Sequence, residues 1–153
     1  MRRKDREVTD RDKIEEIIRG CQCCRIALAD GKGAYIVPLN FGYDQERGAL
    51  YFHGAGEGRK IDLIRKNGYA GFEMDMGHEL VTAEKACGYS FLYQSIVGEG
   101  RIALVEDVEE KRHGLDCIME HIAGKGGWEY PDAMLRAMAV IRLDVETLSA
   151  KAH

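Results

Sequence analysis

The segment that most directly suggests chemistry is a glycine-rich stretch, His53-Gly54-Ala55-Gly56-Glu57-Gly58-Arg59-Lys60. A strand, a flexible loop and a helix start in this order direct backbone N–H groups toward one point, which suits a phosphate. Arg59 and Lys60 add positive charge at the same place. The stretch therefore predicts a phosphate site, although a plain strand-to-helix connection with a solvated Arg-Lys pair fits the local spacing equally well.

Two common nucleotide motifs fit this stretch poorly. A P-loop needs Gly-Lys followed by Ser or Thr, but Arg59 follows Gly58 and Ile61 follows Lys60. A dinucleotide-binding fingerprint is one residue short here, although Glu73 and Asp75 lie where an acid would meet a ribose. The hairpins predicted on both sides argue against the parallel βαβ unit that such a fingerprint requires.

Other residues could face the same ligand. His53 ends a strand beside the glycine loop. Its side chain is expected either to contact the ligand or to form a hydrogen bond at the strand end. Pro38 interrupts a strand, which indicates an edge position or a backbone bend beside a ligand. Tyr93 and Ser95 lie on one face of a long strand by alternation. Trp128, in a Gly-rich loop, would cover a ligand or a partner subunit.

Metal and hydrolase chemistry receive no support. Structural zinc sites usually join two ligand pairs, and Cys21-x-Cys23-Cys24 has no second pair, because Cys87 and Cys117 are isolated. We therefore predict small hydrophobic residues at a helix-to-strand junction, reduced thiols and no metal site. The three remaining internal histidines have no nucleophile to activate and are predicted on the surface or on helix faces: His78, His113 and His121.

The elements that must position these residues are mostly strands. Hydrophobic alternation and turn residues predict one domain, residues 1–153, with a mainly β fold: an antiparallel β-barrel with peripheral helices. Six strands are predicted at residues 24–29, 34–43, 49–53, 69–74, 89–104 and 139–145. Helices are predicted at 10–20, where Thr9 and Asp12 resemble a capping box, at 59–67, after Asp107 and Glu110, and briefly after Pro131.

Composition narrows the function classes. The formal net charge of −4 gives no basic footprint for nucleic acid. No apolar stretch approaches the ~20 residues that a membrane span needs. We find no signal peptide either, so a cytoplasmic protein is expected.

Five motifs in register resemble the FMN-binding split-barrel proteins related to pyridoxamine 5′-phosphate oxidase, and most closely the branch of the nitroimidazole-resistance proteins. The motifs span nearly the whole chain: Met1-Arg2-Arg3-Lys4-Asp5-Arg6-Glu7, Tyr35-Ile36-Val37-Pro38-Leu39-Asn40-Phe41-Gly42-Tyr43, Leu50-Tyr51-Phe52-His53-Gly54-Ala55 leading to Gly58-Arg59-Lys60, Tyr93-Gln94-Ser95-Ile96-Val97-Gly98, and Lys151-Ala152. The resemblance implies a six-stranded split barrel that forms a homodimer with FMN in a groove built by both subunits.

The same resemblance implies a set of site residues. The Val37-Pro38-Leu39-Asn40 backbone would meet the isoalloxazine ring, and His53, Gly54 and Ala55 would line the pocket. Lys60 and Ser95 would serve the phosphate, supported by Arg59 and Tyr93, with Trp128 as a lid. His53 is the catalytic candidate, orienting a substrate or donating a proton. The chain lacks the basic C-terminal segment that recognises pyridoxamine phosphate in true oxidases, which argues against that substrate.

Three functions stay open at this point. The first is an oxidoreductase that reduces a small aromatic or nitro-aromatic acceptor. The second is a non-catalytic flavin-binding protein that carries or stores the cofactor. The third is a split barrel that binds haem or another flat cofactor.

Overall fold

Short hairpins between alternating strands give one antiparallel sheet in the computed structural model, which describes residues 3–153. The strands are β1 (Glu7–Val8), β2 (Cys24–Asp30), β3 (Gly33–Leu39), β4 (Gly42–Asp44), β5 (Ala49–Ala55), β6 (Tyr69–Val81), β7 (Ser90–Leu104) and β8 (Met138–Ala152). The α-helices are α1 (Arg11–Gly20), α2 (Arg59–Asn67), α3 (Val108–Ala123) and α4 (Asp132–Ala137). Single turns of 3-10 helix lie at Lys4–Arg6 and Ala86–Gly88.

The sheet is not closed. Its strands follow the order β3-β2-β6-β7-β8-β5-β4, and β1 pairs with β8 beside this path. Among the described residues, β3 and β4 are therefore the two edges of a curved sheet. This is the expected mainly β split barrel with peripheral helices.

The expected count of six strands is corrected to eight. The six predicted strands are the long ones, and the two additional strands are β1, with two residues, and β4, with three. The predicted strand 34–43 is interrupted, because β3 ends at Leu39 and β4 starts at Gly42 in a different part of the sheet. β6 continues to Val81, past an irregularity between Met76 and Glu79. The sequence did not predict this second half of the strand, because it is exposed and its apolar residues do not alternate with polar ones.

Two apolar clusters share β5. Phe52 points into the barrel, whereas Tyr51 points to the other face, against α3. Both rings are fully buried. The barrel interior and the layer under α3 therefore fix β5 from both sides, and with it the glycine-rich segment that follows.

Helix ends follow the sequence closely. Asp107 caps α3 by accepting a hydrogen bond from the backbone N–H of Glu110 at 2.8 Å, as predicted. The cap of α1 is Asp10, which accepts from the N–H of Lys13 at 2.8 Å, and not Thr9 as predicted. The structure contains all five cysteines as free thiols, and no helix within residues 3–153 could cross a membrane.

Candidate cofactor site

The first turn of α2 joins two distant parts of the sheet. A Cβ added to Gly54 at the end of β5 would lie 2.7 Å from Nζ of Lys60, so the ammonium group rests directly on this glycine. The neighbouring Arg59 donates from Nε to Asp30 at 2.9 Å and lies 4.4 Å from the ring centroid of Tyr35. Asp30 and Tyr35 belong to the β2–β3 hairpin. We call the region bounded by the end of β5, the start of α2 and β3 the rim.

Lys60 and Arg59 differ in their electrostatic surroundings. The Arg59 guanidinium is paired with the Asp30 carboxylate. Lys60 is partly buried and has no carboxylate within 4.0 Å among residues 3–153. Burial lowers the pKa of the Lys60 amine, because the charged form is partly removed from water. The rim thus holds a partly buried cation that an anion would stabilise.

The edge strand β3 lines the rim with free backbone groups. It pairs only with β2, so one row of its N–H and C=O groups has no partner within the sheet. Pro38, opposite Arg25, is tolerated because an edge strand needs fewer ladder donors. This confirms the predicted edge position. With a rise of about 3.3 Å per residue, the strand runs about 13 Å from Tyr35, beside Arg59, to Leu39, and Asn40 follows it.

Side chains along β3 are held in fixed directions. Val37 and Leu39 pack toward the main core, while Pro38 points outward. Nδ2 of Asn40 donates to the backbone carbonyl of Gln22 at 3.2 Å, which fixes the end of the strand. The rigid edge could therefore present backbone donors and acceptors to a flat ring.

His53 lies at the same end of the barrel as Lys60 but on the other face of β5. Gly54 shares the barrel face with Phe52, whereas His53 pairs with Val140 on the side of α3. Its side chain is exposed and makes no hydrogen bond to another side chain or backbone group within residues 3–153. Ala55 continues the strand beside Met138. The imidazole is thus exposed on the α3 side of β5.

Ser95 and Tyr93 lie far from Lys60 in the same chain. Ser95 points outward between Asp75 and Lys151, because its neighbour Ile96 is fully buried. Gly54 pairs with the start of β8, which runs beside the other end of β7. The nine residues between Ser95 and that end span about 30 Å. One chain therefore does not bring the two predicted phosphate ligands together.

Trp128 occupies a third position, in the loop between α3 and α4. Its indole is 41% exposed and donates to the carbonyl of Lys125 at 3.0 Å. The Lys125 ammonium lies 4.4 Å from the ring centroid. The ring thus packs on its own loop and not over the rim of its own chain.

The structure also reveals Gln94, which the sequence analysis did not single out. Its Oε1 is the one buried side-chain polar atom in the described part of the chain that has no hydrogen-bond partner. Buried acceptors are normally satisfied by protein groups or ordered water, so this oxygen can accept one further hydrogen bond. The sequence signal for Gln94 was an amide residue two positions before the apolar Ile96, and therefore on the same face of β7.

A second feature missed from the sequence is a cavity of about 590 Å³ beside the rim. It borders Gly56, and its charged lining residues are three cations, Arg65, Lys111 and Arg136, and one acid, Glu106. Lys111 donates to the backbone carbonyls of Leu135 and Met138, at 2.9 and 3.3 Å. The cations come from three helices, so no local spacing in the sequence could have grouped them.

Comparisons with known proteins agree with this architecture. Residues 10–152 match the family model described as pyridoxamine 5′-phosphate oxidase. A solved structure of a candidate 5-nitroimidazole antibiotic resistance protein from Bacteroides thetaiotaomicron is 35% identical, with a TM-score of 0.83 over 95% of this chain and 86% of that chain. No curated protein matches the chain.

Two more distant structures share the fold. The flavocytochrome Anf3 from Azotobacter vinelandii is 17% identical, with a TM-score of 0.83 over 100% of this chain and 72% of that chain. The FAD and haem binding protein from Mycobacterium smegmatis is 19% identical, with a TM-score of 0.83 over 96% and 73%. With the family model matching nearly its whole length, the chain belongs to the pyridoxamine 5′-phosphate oxidase family.

Proposed function

We propose that this protein binds FMN at the rim and reduces a small aromatic or nitro-aromatic acceptor. The observation that carries the proposal is Lys60, a partly buried ammonium that rests on Gly54 and has no acid partner within residues 3–153. FMN carries one phosphate, which suits one such cation at the start of a helix. The chemistry that a bound flavin supplies is hydride and electron transfer.

The chain's own residues would bind and orient the cofactor. Lys60 and the backbone N–H groups at the start of α2 would hold the phosphate. Arg59, already paired with Asp30, would steer the anion without bonding it as strongly. The free edge of β3 from Val37 to Asn40 would meet the ring. His53, exposed at the end of β5, would orient the acceptor or give it a proton.

We further propose that the site is completed by a second copy of this chain. The outer face of the sheet carries Ile36 and Val97, which are 61% and 53% exposed, and small Ala27 and Gly71 between them. On this face the Arg25 guanidinium pairs with both Glu73 and Asp75, one cation with two carboxylates. The exposed apolar side chains of this face suit a second sheet, although Glu99 lies opposite Gly71 at its margin. Ser95 and Tyr93 of a partner, which point to this face, could then approach the rim.

Purification of the protein tests whether it binds FMN, or instead FAD or haem, which the names of two structural neighbours mention. The purified full-length protein is expected to be yellow, with one FMN per chain after the flavin is released and identified by chromatography. If the released flavin is FAD, we expect its second phosphate to bind in the cavity lined by Arg65, Lys111 and Arg136. A Soret band would indicate haem, and a colourless protein that takes up no FMN would refute flavin binding.

Activity is a separate question from binding. The bound flavin should bleach with NADH, NADPH or dithionite, and a nitro-aromatic compound should reoxidise it faster than buffer without the compound. A protein that holds FMN tightly but gives no faster reoxidation would be a carrier or store.

Subunit contact is tested by Val97→Asp, which places a charge in the outer face. The variant should be a monomer by light scattering and should lose FMN affinity as well. Val108→Asp, at an exposed valine at the start of α3, is the matched control. A monomeric wild type that binds FMN at full affinity would contradict the shared site.

A further inference from the structure

Three side chains with metal-binding atoms converge where α3 packs on β4, away from the rim. Nε2 of His113 lies 2.7 Å from Oδ2 of Asp44 and 3.5 Å from Sγ of Cys117. All three donor atoms lie within 4.8 Å of one another. His113 and Cys117 are four residues apart on α3 and therefore share one face of the helix.

We propose that Asp44, His113 and Cys117 form a binding site for one Zn²⁺ ion. A thiolate, an imidazole and a carboxylate are the donors that zinc takes in proteins, whereas Mg²⁺ and Ca²⁺ prefer oxygen alone. With zinc–ligand bonds of about 2.0–2.3 Å, tetrahedral donors stand about 3.5 Å apart. The distance between Nε2 and Sγ already has this value, whereas Nε2 and Oδ2, now 2.7 Å apart, would have to separate as their hydrogen bond is exchanged for two metal bonds.

The backbone around the three donors is held in place. A Cβ on Gly42 would overlap the carbonyl carbon of Cys117 and the nitrogen of Ile118, so β4 lies in direct contact with α3. The His113 ring stands edge-on to the fully buried Tyr51, with centroids 5.6 Å apart. Oδ1 of Asp44 accepts from the N–H of Arg47 at 3.1 Å, and Oδ2 faces both His113, at 2.7 Å, and Nε of Arg47, at 3.5 Å, so a metal ion would displace the Arg47 guanidinium from this oxygen.

Three protein ligands leave one position open on a tetrahedral ion. Cys117 also borders a cavity of about 250 Å³ that can hold water, and the other lining residues are Arg19, Tyr43, Gln45, Glu120 and His121. A water molecule would complete the coordination from this side. Binding replaces the S–H bond of Cys117 with a sulfur–zinc bond, and the proton leaves to the solvent. The ion would tie β4 to α3.

The test uses Co²⁺ as a coloured substitute for Zn²⁺ on the full-length, reduced protein after treatment with a chelator. Difference spectra should show a thiolate-to-cobalt charge-transfer band that saturates at one Co²⁺ per chain and disappears when Zn²⁺ is added. Cys117→Ser should abolish the band. His113→Asn should weaken Co²⁺ affinity at least about tenfold, as should Asp44→Asn, which can still accept from Arg47. Zn²⁺ should also raise the melting temperature of the wild type.

Cys87→Ser is the matched control, because this exposed thiol lies outside the cluster and should leave the band unchanged. Far-ultraviolet circular dichroism shows whether each variant is folded. If Cys117→Ser does not fold, the loss of Co²⁺ affinity in His113→Asn tests the proposal by itself. No saturable band in the wild type would overturn the proposal. So would a band that survives Cys117→Ser but is lost in Cys23→Ser, which would move the metal to the other thiol cluster.

Discussion

Replacing Lys60 with methionine separates cofactor binding from folding. Methionine keeps the length of the side chain and removes its charge. If the ammonium bonds the FMN phosphate, the variant loses a hydrogen bond between charged groups, which contributes about 1.5–3 kcal/mol. Since each 1.4 kcal/mol is a factor of ten, the dissociation constant of FMN should rise roughly 10- to 150-fold.

The same substitution should leave the ligand-free fold as stable as before or make it more stable. Burial lowers the pKa of Lys60 in the folded protein, and within residues 3–153 no acid offsets this cost. The folded state therefore binds this proton less tightly than the unfolded state. The free energy of unfolding should therefore rise as the pH increases from the pKa of Lys60 in the folded state toward its pKa in the unfolded state, because the buried amine loses its charge first. In Lys60→Met this rise on the alkaline side should vanish.

The assay is a titration of the flavin-free protein with FMN, followed by quenching of flavin fluorescence, together with urea unfolding. Lys66→Met is the matched control, since Lys66 is an exposed lysine at the other end of the same helix. It should change FMN affinity less than twofold. The reasoning is refuted if Lys60→Met binds FMN as tightly as the wild type, or if its flavin-free form is less stable by more than the control.

Three further substitutions test neighbouring parts of the structure. Gly54→Ala should displace the Lys60 ammonium and weaken FMN binding measured by the same titration, whereas Gly33→Ala, with open space around it, should not. Gly42→Ala should lower the free energy of unfolding in urea by about 1–3 kcal/mol, because its Cβ would overlap the backbone of α3; an unchanged midpoint would contradict this contact. His53→Ala should keep FMN affinity but lower the rate of acceptor reduction in single-turnover measurements, and full turnover would exclude His53 from catalysis.

Most of the fold could be predicted because its strands are half-buried. Alternation in β3 and β5 and the glycines between them identify the hairpins. β4 was not separated from β3, because Phe41 continues the apolar alternation while the chain leaves for the opposite edge of the sheet. Only long-range packing against α3 reveals that change.

The rim was partly predictable for the same reason. The glycines and cations from His53 to Lys60 are contiguous, so their meeting at one place needs no tertiary information. The role of Arg59 was less accessible, because its partner Asp30 is 29 residues away in the sequence. The cluster of Asp44, His113 and Cys117 shows the limit of this approach. A histidine and a thiol four residues apart predict little until β4 brings a carboxylate to them.

The separation of the predicted phosphate ligands is itself informative about assembly. Ser95 and Lys60 lie at opposite ends of one chain's sheet, and Ser95 points to the outer face. If both contact the same FMN molecule, they must come from different subunits, since a rigid sheet cannot fold one end onto the other. In the dimer proposed above, a two-fold axis would make the two sites equal, each built from Lys60 of one chain and Ser95 of its partner. Mixing Lys60→Met with Ser95→Ala chains should then yield heterodimers with one doubly altered site and one intact site, and half of the wild-type FMN capacity.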